Sequence, residues 1–324
     1  MSGTQVSPYT NPANSSITFD GAFNGINITL TNNGTVTASG KNFSNMGSFI
    51  NNGTINNTSG SWYNEGSNGK FTNNGTINNS ATFAMMPDTI FENNGSVVNN
   101  KSAELDFDAG GNNNALITNY GLISQYGGTN TANGIITLMA GSTFKMFAQH
   151  QYINEGLIKG SGTIDPSTSI VNKNGGRIEP GNSAGGLYVL GDLYHQDGGI
   201  KHIEIGGPDG PCGPDADRDS NKSHDFIDIT GDLIIDGAYL EASLIDGFKL
   251  SGNQNFLITK LDGELTGQYE DLGEGDSLGK FESIYGTDID LFVTYEGGDG
   301  DDIGLYTKPQ TLGELVWTVL GYDM

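Results

Sequence analysis

The residues best suited to chemistry lie in one acidic, Gly- and Pro-rich stretch between residues 206 and 225. Side chains with oxygen ligands alternate along it, and a further acid follows: Asp215, Asp217, Asp219, Asn221 and Asp225. Such alternation turns several oxygens to the inside of one bend, which suits calcium because that ion takes about 6–8 oxygen ligands. Ser220 stands where an EF-hand loop has glycine, and no glutamate closes the loop, so this is not an EF-hand. We predict a calcium site of another kind, with a solvated acidic loop as the alternative.

Two other groups of residues deserve the same test. The segment 297–302 reads GGDGDD and resembles the calcium-binding nonapeptide of secreted toxins. That motif works in stacked copies, and this chain has one, so a turn is the simpler interpretation and a metal role is the alternative. None of the histidines has the spacing of a metal site, and we predict surface positions for all of them: His150, His195, His202 and His224.

The elements that must position these residues follow a repeat. The sequence NNGTINN at 51–57 returns at 73–79, in altered form at 93–100, and in part from Asn32 onwards. A period of roughly 20 residues predicts a solenoid. Asn-Gly also signals β-hairpins, but each run supplies one or two apolar positions, fewer than a hairpin register needs. We therefore predict an all-β, parallel β-helix (β-solenoid) whose coils share one core. Asn and Gly are assigned to its corners, where both tolerate left-handed backbone.

Changes in this pattern divide the chain into four parts. Residues 1–16 are polar and are predicted to form an extended N-terminal arm. Residues 17–200 form the β-solenoid with Asn-Gly repeats. Residues 201–306 form longer-stranded, acidic C-terminal coils or a β-rich cap. The apolar tail, residues 307–324, either caps the open end of the solenoid or contacts another subunit, because solenoid ends must be covered.

Charge and composition exclude several partners. The 324 residues include 38 acidic and 14 basic ones, for a net charge of -24. Nucleic acid is therefore not an expected partner, because phosphate binding needs a basic patch. No apolar run reaches the ~18 residues of a membrane helix, so direct membrane insertion is not expected either. The single cysteine, Cys212, cannot form an internal disulfide.

One segment carries a family resemblance. Residues 160–164 read GSGTI, and residues 174–193 read NGGRIEPGNSAGGLYVLGDL. This segment resembles the late passenger region of bacterial autotransporter-type adhesins and related secreted β-helix proteins. The order of apolar runs downstream, to about residue 302, is similar as well. The resemblance covers roughly residues 30–306, and it implies a right-handed parallel β-helix, export from the cell, and an adhesive or scaffolding role.

Three classes of function remain. The preferred hypothesis is a non-enzymatic extracellular or cell-surface β-helix that presents a rigid surface to a glycan or protein. The second is a subunit of a self-assembling extracellular filament or surface layer. The third is a polysaccharide-degrading β-helix enzyme. A lyase would need a cation or basic groups near the substrate, whereas Arg177 and Arg218 lie far apart in sequence. No nucleophile motif is present either, so we expect no catalytic residue.

Overall fold

The fold is a parallel β-solenoid. The computed structural model describes residues 3–5, 7–24, 28–66, 69–108, 110–147, 151–208 and 223–310, and all regular elements within them are strands. Up to residue 266 the strands recur in threes, and each pairs in parallel with the strand three places along the chain. The predicted all-β solenoid is thereby confirmed over a meander of hairpins. Within the described ranges, no helix has the length and apolar character needed to cross a membrane.

Each sheet takes one strand from every coil. Sheet 1 contains β1 (Gly3–Gln5), β4 (Ala22–Asn24), β7 (Phe43–Asn45), β10 (Ser61–Asn64), β13 (Thr82–Met85), β16 (Glu104–Phe107), β19 (Leu122–Gln125), β22 (Thr143–Met146), β25 (Thr163–Pro166), β28 (Gly186–Val189), β31 (Phe226–Ile229) and β34 (Asn255–Leu261). Sheet 2 contains β2 (Tyr9–Asn11), β5 (Thr29–Asn32), β8 (Ser48–Asn51), β11 (Lys70–Asn73), β14 (Ile90–Asn93), β17 (Gly111–Asn113), β20 (Gly128–Asn130), β23 (Tyr152–Asn154), β26 (Ser169–Asn172), β29 (Asp192–Gln196), β32 (Leu233–Asp236) and β35 (Leu265–Thr266). Sheet 3 contains β3 (Ser16–Phe19), β6 (Thr35–Ala38), β9 (Thr54–Asn57), β12 (Thr76–Asn79), β15 (Ser96–Asn99), β18 (Leu116–Asn119), β21 (Ile135–Leu138), β24 (Leu157–Gly160), β27 (Arg177–Pro180), β30 (Ile200–Ile205) and β33 (Tyr239–Leu244).

Most solenoid strands have four residues, whose side chains alternate between solvent and the core. In β12, Ile77 and Asn79 are fully buried, while Thr76 and Asn78 face outward. The parallel register places Ile77 between Ile55 and Val97 of the neighbouring coils. One apolar residue per strand is therefore enough, because stacking joins these residues into a continuous column.

Aromatic rings fill much of the core in the N-terminal half. The ring of Phe71 lies 5.1 Å from that of Phe49 and 6.0 Å from that of Phe91, centroid to centroid. Trp62 is fully buried among these rings and stacks on Phe83 at 5.3 Å. Offset and edge-on ring pairs add to the free energy of area burial, by about 0.5–1.5 kcal/mol each.

The C-terminal strands are longer and change direction. Sheet 1 continues beyond β34 through three antiparallel strands, β38 (Asp302–Tyr306), β37 (Ile289–Gly297) and β36 (Ser277–Phe281). The hydroxyl of Tyr295 donates to the Leu272 carbonyl at 2.8 Å and accepts the Tyr269 N–H at 3.0 Å. These bonds brace an antiparallel cap, residues 267–306, from within, and the pairing of β38 with β34 joins this cap to the last coils.

The N-terminal prediction differs from the structure. Residues 1–16 were expected to form an extended arm, but Tyr9–Asn11 pairs in register with Leu30–Asn32. The Asn11 side chain is fully buried and donates to Asn32 Oδ1 at 2.7 Å. The sequence did not reveal this coil, because residues 1–16 are mostly polar and include two prolines. The buried contact that Asn11 makes is itself polar, so it leaves no apolar pattern in the sequence. At the other end, residues 311–324 lie outside the described residues, so the role of the tail stays a prediction.

Candidate functional site

The predicted calcium ligands are not brought together within the described residues. Asp215, Asp217, Asp219 and Asn221 lie outside them, while Asp225 lies in the solenoid wall. Asp225 is fully buried, and its Oδ1 and Oδ2 accept the N–H groups of Gly185 and Glu204, both at 2.8 Å. Burial raises the pKa of Asp225 well above its usual range, although the two amide bonds oppose that shift. Asp225 therefore ties two strands together, and calcium binding by this stretch stays a prediction.

A second acidic group lies at the turn between β37 and β38. Carboxylate oxygens of Asp299, Asp301 and Asp302 come within 4.8 Å of one another. Asp302 is buried, and its Oδ1 accepts the Leu261 N–H at 2.8 Å, while Asp299 is exposed. The segment 297–302 is thus a turn, which was the simpler of the two interpretations of its sequence. Three carboxylates meet at this turn, and together they could hold a cation.

The prediction of surface histidines is wrong for two of the four. His195 and His224 are buried, and His202 is largely buried; His150 lies outside the described residues. His195 Nδ1 lies 3.2 Å from Asn172 Nδ2. An amide nitrogen can only donate, so Nδ1 accepts and the ring proton is on Nε2. Burial, followed by the charge of Lys201, lowers the pKa of His195 to about 3.

Lys201 is a buried cation that sequence reasoning missed. Its ammonium nitrogen donates to the Ile258 carbonyl at 3.1 Å and to the Thr259 hydroxyl. Burial lowers the pKa of Lys201 to about 7, and the nearby Asp225 opposes this shift. The alternation of inward and outward residues along β30 could have indicated that Lys201 is buried, since Ile203 and Ile205 lie on the same side of the strand.

Buried asparagines form the most regular polar feature of the molecule, which we call the inner ladder. In sheet 2, each side-chain Nδ2 donates to Oδ1 in the next coil at 2.7–2.8 Å, through Asn11, Asn32, Asn51, Asn73, Asn93, Asn113, Asn130, Asn154 and Asn172. All nine are buried. The predicted left-handed corner role of these asparagines is wrong, because positive φ among described asparagines occurs only at Asn14, Asn174 and Asn253.

The glycines of the repeat are needed for close approach. Gly53, Gly75 and Gly95 do not have positive φ, yet a Cβ on any of them would collide with the backbone of the preceding coil. For Gly75 the nearest atom is the Gly53 carbonyl oxygen. The corner turns therefore stack backbone on backbone, and Gly is the residue type that permits this.

A groove lies on the outer side of sheet 2, and we call it the glycine groove. It holds about 700 Å³ and is lined by Thr89, Ile90, Phe91, Gly110, Gly111, Asn112, Tyr126, Gly127, Gly128 and Gln151. Its cause is local: Gly111 and Gly128 occupy the register positions that Phe91 and Tyr152 hold in the flanking coils. Phe91 and Tyr152 are buried core residues, so glycine at these two positions leaves room on the inner side for Gln125, while Gly110 and Gly127 leave the groove lining without side chains.

Two side chains shape this groove from opposite sides. Inside, Gln125 Nε2 donates to the carbonyls of Gly111 and Gly127 at 3.1 and 2.5 Å, which fixes the glycine backbone. Outside, the Tyr126 ring is 40% exposed and stacks on Phe147 at 4.8 Å between centroids. None of the lining residues carries a charge. The groove therefore offers an aromatic platform, side-chain amides and accessible backbone to an uncharged ligand.

Comparison with known proteins does not assign this chain to a family. No protein-family model matches the chain, and no curated protein matches it. The resemblance to autotransporter passengers is thus supported only as far as the β-solenoid repeat architecture.

Proposed function

We propose that this chain is a non-enzymatic extracellular β-helix protein that works by adhesion, with the glycine groove as its contact for a neutral sugar chain. The solenoid supplies rigidity, because each coil is fixed to the next by parallel backbone pairing and by the inner ladder. A binding surface on such a scaffold loses little conformational entropy when a ligand binds. The sequence resemblance to secreted passengers supports the extracellular location.

The uncharged groove with an exposed aromatic ring is the observation that carries this proposal. Its volume falls in the range of ligand sites, about 300–1,000 Å³. A sugar ring presents C–H groups to an aromatic face and hydroxyls to amides, and Tyr126, Asn112 and Gln151 offer both kinds of partner. A tyrosine adds large apolar area with a polar tip at low entropic cost. The net charge of -24 disfavours acidic glycans.

Binding calorimetry on the full chain tests this proposal. The probes are soluble neutral polysaccharides, a β-glucan, a mannan and a galactan, with polygalacturonate as the acidic comparison. We expect one of the neutral probes to bind and Tyr126→Ala to weaken that binding by about tenfold, since losing ~1.4 kcal/mol is typical of an aromatic contact. Tyr120→Ala is the matched control, because Tyr120 is 42% exposed but is not a lining residue.

Two results would overturn the proposal. One is equal loss with Tyr120→Ala and Tyr126→Ala, which would place any binding outside the groove. The other is release of reducing ends from polygalacturonate, abolished by changing an aspartate, which would establish the enzyme hypothesis in its place.

A further inference from the structure

The outward face of sheet 3 is an ordered, uncharged array in a strongly acidic protein. We call it the hydroxyl–amide face and define it by the outward residues of β3, β6, β9, β12 and β15: Ser16, Thr18, Thr35, Thr37, Thr54, Asn56, Thr76, Asn78, Ser96 and Val98. Nine of these ten side chains bear a hydroxyl or an amide, and none is charged. In the same coils, the outward face of sheet 2 carries the ion pair of Lys70 with Glu92 at 2.9 Å.

The array is regular in two directions. Thr35, Thr54, Thr76 and Ser96 are direct partners in the ladder, and the second outward column is registered in the same way. Paired strands lie ~4.8 Å apart, and alternate residues along a strand lie ~6.6 Å apart. Short side chains on such a parallel sheet form a two-dimensional net of hydrogen-bonding groups with two fixed repeat distances.

A column of exposed asparagines borders this face and is already rigid. Asn52 donates to Asn33 at 2.9 Å, Asn74 to Asn52 at 2.9 Å, and Asn94 to Asn74 at 3.1 Å, all side chain to side chain. On the face itself, Asn78 donates to Asn56 at 2.9 Å. These bonds fix the spacing of the amides before any ligand arrives, so binding needs little further ordering.

The chemistry of the face selects its ligand. The ten residues offer no counter-charge to a charged partner. A sugar crystal finds no aromatic ring among the ten residues, whereas stacking on such rings is the usual apolar contact for a sugar. What fits is an uncharged lattice of hydrogen-bonding atoms with its own fixed repeat. Each hydroxyl can donate one bond and accept two, so it can make three of the four hydrogen bonds that a lattice water makes, two as donor and two as acceptor. Ordered water is a full hydrogen-bonding partner.

We propose that the hydroxyl–amide face binds ice: its hydroxyls and amides hold water molecules in a fixed net that the surface of a growing ice crystal continues. This activity lies beyond the adhesion proposed above and uses a different sheet from the glycine groove. Coupled to a glycan-binding groove, it would attach the bearer of the chain to ice.

The test measures thermal hysteresis of the full chain, together with the fraction of protein taken up into a slowly growing ice hemisphere. We expect the wild-type chain to show both activities. Thr76→Tyr should abolish them, because a bulky ring within the face breaks its contact with a flat crystal. Thr72→Tyr is the matched control: Thr72 faces outward from β11 of the same coil, but on sheet 2. Circular dichroism and thermal melting confirm that both variants are folded.

Several outcomes would overturn the proposal. The wild-type result decides first: absence of hysteresis, with exclusion from ice equal to that of serum albumin, rejects ice binding without any variant. Equal loss in Thr72→Tyr and Thr76→Tyr would place the activity elsewhere on the molecule. Binding to microcrystalline cellulose or chitin that Thr76→Tyr abolishes, without ice binding, would assign the face to a crystalline polysaccharide. Glycan binding in solution is measured separately through Tyr126, so the two proposals can fail independently.

Discussion

At the scale of single residues, the inner ladder shows why asparagine dominates this sequence. A carboxamide donates and accepts at once, so an identical residue in the next coil continues the column. The column has a direction, because each Nδ2 of the inner ladder donates toward the C-terminal coil. It therefore needs a donor at its first residue and an acceptor after its last. The Ser15 hydroxyl lies 2.5 Å from Asn11 Oδ1, and His195 Nδ1 accepts from Asn172.

Removing one amide from the middle of the ladder should destabilise the fold. Asn73→Ala takes the acceptor from Asn51 and the donor from Asn93. We expect the free energy of unfolding to fall by about 1–3 kcal/mol, the cost of leaving buried polar groups short of a partner. Urea denaturation followed by circular dichroism measures this change.

The adjacent Asn74→Ala is the control, because Asn74 belongs to the exposed column. Its effect should stay within about 0.5 kcal/mol, as for most surface substitutions. Equal effects at positions 73 and 74 would contradict a structural role for the buried amides.

Lys201 should make the stability of the C-terminal coils depend on pH. Its pKa is about 7 in the folded protein, against an ordinary value of 10.5. Between these two values the unfolded chain holds a proton that the folded chain has released, so the free energy of unfolding rises with pH across this window. Below pH 7 both states are protonated, and the burial penalty is fully present.

Comparison with Lys201→Met isolates this contribution, since methionine fills similar space without a charge. The difference in unfolding free energy, wild type minus variant, should rise by a few kcal/mol from pH 7 to 10.5, at about 1.4 kcal/mol per pKa unit. Asp225 and His195 are present in both proteins, so their own titrations largely cancel in this difference. Parallel curves for the two proteins would show that Lys201 has an ordinary pKa.

At the scale of elements, the glycine groove results from a local exchange of residue types. Gly111 replaces an aromatic residue in β17, and Gln125 takes the inward position that Phe107 holds in the preceding coil. A void of about 10 Å³ remains inside, next to Gly111 and Gln125. The two coils thus give up apolar burial and use a polar side chain to support their backbone.

Alanine substitutions at the paired glycines Gly111 and Gly128 should have opposite effects on the stability of the fold. At Gly111, which lacks positive φ, a new Cβ would lie 3.4 Å from Phe91 Cδ1 in ordinary contact. Gly111→Ala should therefore stabilise the protein by about 0.5–1 kcal/mol, through a less flexible unfolded chain. Gly128 has φ +128°, and a Cβ there would collide with the Gly111 carbonyl and the Gln125 amide.

Gly128→Ala should therefore destabilise the fold by more than about 1 kcal/mol. Thermal melting of the two variants, measured side by side, checks the opposite signs. Destabilisation by Gly111→Ala of the same size would mean that β17 does not have this backbone conformation.

The solenoid was predictable from the sequence because its period is a local pattern. The 20-residue recurrence and the single Ile or Phe per run were sufficient to reject hairpins. The direction of each asparagine was not predictable in this way. In NNGTINN, the first and last asparagines point inward and their neighbours point outward, which depends on the strand register. The buried positions of Lys201 and His195 escaped prediction because polar residues inside a solenoid are stabilised by neighbouring coils, which a single repeat does not reveal.

At the scale of the whole molecule, the two halves of the chain share the solenoid backbone but differ in the charge of their surfaces. The N-terminal coils carry the uncharged hydroxyl–amide face, while the acidic residues concentrate after residue 200. Parallel stacking leaves unpaired strand edges at each end, and such edges invite association. At the C-terminal end, β38 pairs with β34 in antiparallel orientation, so sheet 1 cannot simply be extended by another coil.

Removing the antiparallel cap should therefore convert the protein into an associating one. A chain ending at Thr266 lacks β36, β37 and β38 and exposes the edge of β34 together with core residues such as Phe256, now 1% exposed. We expect size-exclusion chromatography with light scattering to show large oligomers or loss of soluble protein. A chain ending at Gln310 keeps all three cap strands and should retain the oligomeric state of the full chain. If instead the Gln310 variant associates and the longer deletion adds nothing, the end of the solenoid is covered by residues 311–324, and the antiparallel strands are not its protection.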